Sequence, residues 1–374
     1  MPKEPIRVLQ VIGRLNMGGV QSMLMNYYRH IDRNVIQFDF VVQDNKPEFF
    51  DNEIRELGGK IHPVRPLKKL FAFYIDLARV LKKNDYDIIH IHQNFASVHA
   101  LIVAFLFSVK KRIVHSHNAY PEKSFIKRMT KKGITSIINV LSTHRFACSK
   151  VAAIWLYGVK AVEKNRTKII HNAISVERFK FNADIRQAKR TELGVTNDFT
   201  IGHIGHLSGQ KNPVFLIDIF YEISKLKNNV HLLLIGQGPL EQEIKSKVEK
   251  LGLNDKVTLL GTRSDVNEML SAFDAFVFPS LYEGLGIVVV EAQAADLKCF
   301  ISDKVTHEVA LTELVTYIPL DASAKEWAKT ILSKADLTDT RKDMTKIIGQ
   351  SGYDIALEAR KLQGQYIKMA YSEK

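Results

Sequence analysis

"AFVFPSLYEGLGIVVVEAQAA", residues 275–295, changes character twice. The apolar run Ala275–Phe278 reads as a buried strand, the glycine-flanked stretch after Pro279-Ser280 as a loop, and "IVVVEAQAA" as a helix. Strand, loop and helix in that order are the repeating unit of a parallel sheet, whose ligands bind beyond the carboxyl ends of the strands. Gly284 and Gly286 open the helix, so the N–H groups of Leu285, Gly286 and Ile287 are donors without acceptors inside it. Glu283 stands in the loop and Glu291 further into the helix, a span of at most roughly 12 Å at helical rise. That length suits a nucleotide-sugar: one carboxylate for sugar hydroxyls, the helix end for the diphosphate, the second carboxylate for ribose. A capping Glu283 with a solvated Glu291 is the alternative reading.

Outward from this stretch the same alternation fills the chain. "IRVLQVIG" (6–13), "FDFVVQ" (38–43), "DIIHIHQ" (87–93), "RIVHSHN" (112–118), "HRFACSK" (144–150) and "KIIHNAI" (168–174) read as strands with helices between them. After a polar stretch the pattern restarts at "FTIGHIG" (199–205), followed by "VHLLLIGQG" (230–238), "KVTLLG" (256–261), "AFVFPS" (275–280) and "KCFISD" (298–303). Near-continuous apolar strands imply parallel sheets covered on both faces. The chain of 374 residues is also too long for one comfortable core. We therefore expect an α/β protein of two doubly wound, Rossmann-like domains: 1–178, a linker at 179–196, 197–352, and a helix at 353–374 that crosses back to the first domain. Ile355, Leu362 and Ile367 would supply that helix's packing face.

Composition narrows the class. With 46% hydrophobic and 25% charged residues the chain is an ordinary globular protein. Two cysteines, Cys148 and Cys299, make no disulfide framework and fit a reducing cytoplasm. "MPKEPIRVLQVIG" runs straight into a strand without a signal-peptide core, and "HALIVAFLFSV" is about half the length that crosses a bilayer. Residues 1–200 hold 33 Lys+Arg against 17 Asp+Glu, a balance of +16; the remainder holds 20 against 23. The cations are densest in "EKSFIKRMTKKG", where Lys123, Lys127, Arg128, Lys131 and Lys132 interleave with Phe125, Ile126 and Met129. Such a patch at 123–132 attracts an anionic membrane surface, or is a solvated face. No nucleic-acid module is present.

Other strand ends carry chemistry of the same kind. Gly18 and Gly19 follow the first strand, where glycines allow a close backbone approach and a helix start receives an anion. A plain strand-to-helix turn explains such a pair equally well, and it is not a GxGxxG fingerprint. Gly236 and Gly238 repeat the device. "GTRSDV" brings Arg263, with Ser264 or Asp265 as helix cap, and Lys211 in "HLSGQKN" could meet a phosphate or be solvated. His90, His92, His115 and His117 alternate on two strands, with no Cys or carboxylate to complete a metal set, so no metal is expected.

The ordered set Gly18-Gly19, "HSHN", "IIHNAI", "IGHIGH…QKN", "IGQGP" and "FPSLYEGLGIVVVEA" resembles glycosyltransferase family 4, the retaining enzymes of the GT-B fold, in its bacterial capsule and exopolysaccharide type. The resemblance implies two domains facing a central cleft. It implies transfer of a sugar from a nucleotide-sugar, UDP-linked, to a hydroxyl of a glycan or lipid-linked acceptor, without metal or other cofactor. It places donor-sugar binding on Glu283, ribose binding on Glu291, the active-site histidine on His117 and the phosphate-binding lysine on Lys211. The family has Arg five residues before that lysine; this chain has His206, and an imidazole is only partly charged at neutral pH. A nucleotide-sugar 2-epimerase and a non-catalytic partner subunit share the architecture. The implied place of work is the cytoplasm, at the inner face of the membrane.

Overall fold

The computed structural model describes residues 4–372 except 44, 121–123 and 336–340, with no side chain described at 125 and 127. Of the cationic run expected at 123–132, Lys123 and the side chains of Phe125 and Lys127 lie outside the described residues. The chain divides into two compact units, Met1–Ile174 with Gly352–Lys374, and Ser175–Ser351.

The first unit is built on seven parallel strands, β1 (Ile6–Val11), β2 (Ile36–Val42), β3 (Ile61–Pro63), β4 (Ile88–Ile91), β5 (Lys111–Ser116), β6 (His144–Ala147) and β7 (Lys168–Ile169). Their order is β3-β2-β1-β4-β5-β6-β7. The chain winds outward from β1 in one direction and from β4 in the other, so the helices fall on opposite faces. Every residue of β2 is buried, Asp39 included; its carboxylate is held by Arg7, the Lys60 N–H (2.8 Å) and the Tyr86 hydroxyl (2.8 Å). Helices Leu70–Lys83, Ser97–Leu106 and Phe125–Leu141 follow β3, β4 and β5 and pack side by side in that order. Helix Gly19–His30 lies against the C-terminal helix Ile355–Tyr371, which Asp354 caps by accepting from the Ala356 and Leu357 N–H groups. Ile355, Leu362 and Tyr366 join Tyr27, Tyr28, Phe38 and Phe40 in one core, with Ile367 partly buried at its edge.

The second unit holds six parallel strands, β8 (Phe199–Ile204), β9 (Val230–Ile235), β10 (Val257–Leu259), β11 (Ala275–Phe278), β12 (Cys299–Ser302) and β13 (Val315–Ile318), in the order β10-β9-β8-β11-β12-β13. Here too the winding reverses between two adjacent strands, β8 and β11.

Two strands were not expected, and two expectations need correction. Strands β3 and β13 carry little pattern because they are short edge strands, half-exposed for most of their length. The expected strand 168–174 pairs only at Lys168–Ile169; beyond it, Ile174 donates to the Tyr353 carbonyl (2.9 Å). The stretch 179–196 is no linker. It contains helix Ala183–Glu192, capped by Asn182, and the unit boundaries fall at 174/175 and 351/352. Its polar composition hides its burial: Arg190 lies inside, donating to Asp274, the Thr200 hydroxyl and the Ala272 carbonyl, while Arg186 meets the other Asp274 oxygen at 2.5 Å. A buried guanidinium is tolerated when its fork of donors is matched in this way.

Candidate active site

In the second unit the loops leaving β8 and β11 meet at the point where the winding reverses, the usual ligand crevice of a doubly wound sheet. After β8 the chain makes a tight turn, Gly209–Lys211, then enters helix Pro213–Leu226 through Asn212 in the left-handed region (φ 54°). After β11 the loop 279–286 ends on Gly286, also left-handed (φ 88°), and opens helix Ile287–Ala294.

These two loops bring Lys211 and Glu283 together. The ammonium nitrogen is 2.7 Å from one carboxylate oxygen, and the Gln210 amide donates to the other at 3.3 Å and to the Tyr282 carbonyl at 3.1 Å. Leu281 N–H in turn donates to the Gln210 carbonyl (2.8 Å), tying the loops by backbone as well. Glu283 is buried, the Lys211 side chain nearly so, and its ammonium lies 4.7 Å from the centre of the Phe278 ring. The lysine stem runs past Gly205, where an added Cβ would sit 3.3 Å from it. Below the pair, His203 donates from Nδ1 to the Val277 carbonyl (2.9 Å). Burial, with the Lys211 charge acting in the same sense, lowers its pKa to about 4, so this histidine is neutral.

Glu291 lies in the second turn of helix Ile287–Ala294, half-buried, with no hydrogen bond to its carboxylate among the described residues. Burial raises its pKa to about 7, and the Arg178 charge opposes that shift only in part. Leu285 is buried, while Gly284, Leu285, Gly286 and Ile287 form the loop-to-helix junction beside the Lys211–Glu283 pair. His206 is exposed at the start of the loop that follows β8.

Two expected roles look different in space. Gly236 (φ 132°) and Gly238 are required by protein backbone: an added Cβ would lie 2.0 Å from the Gly205 oxygen and 2.3 Å from the Leu207 oxygen. They let the β9 loop stack on the β8 loop, with Leu207 N–H donating to the Gln237 carbonyl. Arg263 is held bidentate by Asp265 at 2.7 and 2.6 Å and reaches Glu192 at 3.3 Å. Asp265 also takes Lys189, so its carboxylate is pulled well below the usual range by Arg263 first and Lys189 second. Asp265 stands at the cap position of helix Val266–Ala272 without a side-chain cap bond.

In the first unit, Gly18 is extended (φ −177°) and Gly19 begins helix Gly19–His30. A Cβ on Gly19 would meet nothing within 4 Å, so there is open space beside the helix start. The four histidines form one buried stack: His115 and His117 rings are 4.1 Å apart, His90 and His92 4.2 Å. His92 bridges Gln10 Oε1 through Nε2 (2.9 Å) and His117 Nε2 through Nδ1 (2.8 Å). The carboxamide oxygen can only accept, so His92 carries its proton on Nε2 and accepts at Nδ1. His117 must then donate from Nε2, leaving Nδ1 as a bare acceptor. Asn94 fixes the same residue by accepting its backbone N–H at 3.1 Å. Burial holds His117 near pKa 3, so it works as a neutral hydrogen-bonding group. His90, His92 and His115 have nitrogens within 4.8 Å of one another, yet the His90 and His115 planes are parallel to 3° and both His92 nitrogens are engaged. In-plane lone pairs of parallel rings do not converge on one ion.

Sequence reading had not singled out Gln210, His203, Gln10 or Arg178. Gln210 adjoins Lys211 in "QKN" and was within reach; the other three become visible only when strands are laid side by side.

Two families match the chain: "Glycosyltransferase Family 4" over residues 17–178 and "Glycosyl transferases group 1" over residues 184–349. EpsF of Bacillus subtilis (strain 168), a glycosyltransferase by name, is 33% identical over 356 residues, covering 93% of this chain and 93% of EpsF. CapH of Staphylococcus aureus, named as a capsular polysaccharide biosynthesis glycosyltransferase, is 26% identical over 369 residues, 97% of this chain and 99% of CapH. The crystal structure of Anabaena HepE in complex with UDP and glucose superposes with a TM-score of 0.74 at 20% identity, covering 98% of this chain and 97% of HepE; the shared feature is the GT-B fold. Matched along nearly its whole length at the level seen for EpsF, and in both halves by glycosyltransferase families, the chain belongs to the glycosyltransferases.

Proposed function

We propose that this glycosyltransferase moves a sugar from a UDP-sugar to a hydroxyl of a glycan or lipid-linked acceptor, with retention and without a metal ion, in the assembly of a capsular or other cell-surface polysaccharide. The observation that carries the reading is the Lys211–Glu283 pair beside the start of helix Ile287–Ala294. A buried ion pair with one cation, one carboxylate and neighbouring helix N–H groups suits a donor that is anionic at the diphosphate and rich in hydroxyls at the sugar. Lys211 and the N–H groups at 285–287 would neutralise charge growing on the departing diphosphate. Glu283 would accept from donor-sugar hydroxyls, and Glu291 from the ribose hydroxyls. His117, neutral and held by His92, would offer Nδ1 to a sugar hydroxyl.

In a front-face step the bond between the anomeric carbon and the diphosphate oxygen breaks. The acceptor oxygen bonds to that carbon from the same side, and its proton passes to the departing phosphate oxygen. Such a step asks for local cations and no separate general base. The UDP and glucose bound to HepE, and the capsular pathway in the name of CapH, support the choice of donor and product class. A cytoplasmic protein working at the inner face of the membrane follows from a lipid-linked acceptor.

A panel of nucleotide-sugars, read by calorimetry and by release of free nucleotide, tests the proposal. Slow hydrolysis of one UDP-sugar, accelerated by acceptor and insensitive to chelator, is expected. A panel in which nothing binds would overturn it in favour of a non-catalytic subunit. An epimerised sugar formed without acceptor would indicate the epimerase, and strong chelator inhibition would end the metal-free mechanism.

A further inference from the structure

The C-terminal helix Ile355–Tyr371 brings one polar group into the histidine stack. Tyr366 is fully buried, and its hydroxyl lies 2.8 Å from His90 Nδ1, 276 residues away in sequence. Its ring packs edge-on against His90 (6.0 Å between centres, 71°) and Phe38 (5.9 Å, 89°), which fixes where the hydroxyl points. Burial pushes the phenol pKa up and the His90 pKa well down, so both groups are neutral. A neutral phenol has one proton to give. His90 Nδ1 is its one acceptor at hydrogen-bond distance among the described residues. Tyr366 therefore donates, and His90 keeps its own proton on Nε2.

Gln10 joins this bond to those of His92 and His117. The pairing of β1 with β4 sets Gln10 beside His90, and Gln10 is fully buried. Its Oε1 accepts from His92 Nε2 (2.9 Å), so its amide group is turned away from His92. That group makes no full hydrogen bond among the described residues, yet it acts on the Tyr366 hydroxyl and lowers the phenol's pKa against the larger effect of burial. Donors thus run one way, from His117 to His92, Gln10, Tyr366 and His90, each polarising the next. If Gln10 alone turned over, its oxygen would face a Tyr366 oxygen whose proton is committed to His90. Two acceptors with no proton between them repel. The turned amide would also donate to His92 Nε2, His92 would donate from Nδ1, and His117 would have to carry its proton on Nδ1.

We propose that Tyr366 is a positioning residue, whose hydroxyl holds the Gln10 carboxamide in one orientation and so keeps His117 Nδ1 an acceptor for a sugar hydroxyl. The inference rests on the reading that His117 meets such a hydroxyl, and it gives the returning C-terminal helix a part in that contact. A phenol that only fills the core would act differently. Tyr27, buried in the same core, shows the difference: its hydroxyl donates to the His171 carbonyl (2.8 Å), outside the chain of donors. Tyr27→Phe and Tyr366→Phe each remove one buried phenol bond, and only the second touches the path to His117.

The test uses the full chain with isotope-labelled histidine, as wild type, Tyr366→Phe and Tyr27→Phe. Long-range proton–nitrogen correlation spectra show which ring nitrogen of each histidine carries the proton, and His117→Gln identifies the His117 signals. Wild type should hold the His117 proton on Nε2 alone. Tyr366→Phe should show both tautomers, with kcat lower by about two- to fivefold and the donor KM unchanged. Tyr27→Phe should lower the melting temperature to a similar degree and leave both tautomer and kcat as they are. A wild-type His117 protonated on Nδ1, an undisturbed His117 in Tyr366→Phe, or an equal disturbance by Tyr27→Phe would overturn the proposal. Mixed tautomers with an unchanged kcat would uphold the hold of Tyr366 on His117 and remove His117 from the transfer reaction, so the two failures are distinguishable.

Discussion

Lys211 and Glu283, 72 residues apart in sequence, stand 2.7 Å apart because β8 and β11 are neighbours in the sheet. Each comes from the loop beyond one of these strands, and the chain winds away from them to opposite sides. The pair is therefore a product of topology, and its two charges neutralise each other where a donor would otherwise find an unpaired ion.

That pairing predicts a stability cost for removing Lys211. Lys211→Ala leaves a buried carboxylate without its cation, which costs about 1–3 kcal/mol. Glu283→Gln costs less, because the new carboxamide oxygen can still accept from Lys211, whose side chain keeps some exposure. The double variant should recover part of the loss, so a denaturation double-mutant cycle should show a coupling above about 0.5 kcal/mol. All three variants should lose sugar transfer. Independent, additive losses would mean that the pair is not energetically real.

Glu291 should couple nucleotide binding to pH. Its folded-state pKa is raised to about 7 from an ordinary value near 4.5, so the folded protein binds the extra proton between those limits. Stability is then greatest below about pH 4.5 and falls as pH rises to 7, by at most about 3 kcal/mol before solvent screening. Glu291→Gln should melt higher than wild type above pH 7 and much the same at pH 5. If ribose hydroxyls donate to the ionised form, UDP binding at pH 6–7 releases a proton, and the variant binds UDP about tenfold more weakly. Calorimetry in two buffers of different ionisation enthalpy reads both; no proton release and unchanged affinity would remove the ribose assignment.

Gln10 is expected to position His117 through His92. Gln10→Leu keeps the volume but frees His92 to change tautomer, so that His117 loses its fixed acceptor at Nδ1. A hydrogen bond worth about 1 kcal/mol corresponds to a roughly fivefold fall in kcat. The donor KM should hardly move. An equal loss in both constants, or a loss matched by a falling melting temperature, would indicate a merely structural role.

His206→Arg should keep or raise turnover if this exposed position in Lys211's own loop serves the phosphates. A guanidinium brings a permanent charge and a fork of donors suited to phosphate oxygens. Steady-state kinetics with a UDP-sugar and acceptor, wild type against variant, read the difference. A large loss of activity in His206→Arg would give this histidine a role of its own.

The alternation of buried strands and helices, the two-domain plan and the strand–loop–helix around Glu283 and Glu291 were legible in the sequence, because hydrophobic periodicity and glycine placement are local signals. The edge strands and helix Ala183–Glu192 were not: edges bury little, and Arg190 is stabilised inside by partners that include Ala272 and Asp274, 82 and 84 residues away. Gly236 and Gly238 could be recognised as special but not explained, since the atoms they make room for belong to Gly205 and Leu207 on another loop. The histidines of β4 and β5 were visible as a pattern, while the tautomer of His117 depends on Gln10, brought beside them by β1. Residue type and spacing determined which chemistry this chain can carry. Which charges meet and which groups stay neutral were decided by strand order and burial, because electrostatics and desolvation act through space and not along the chain.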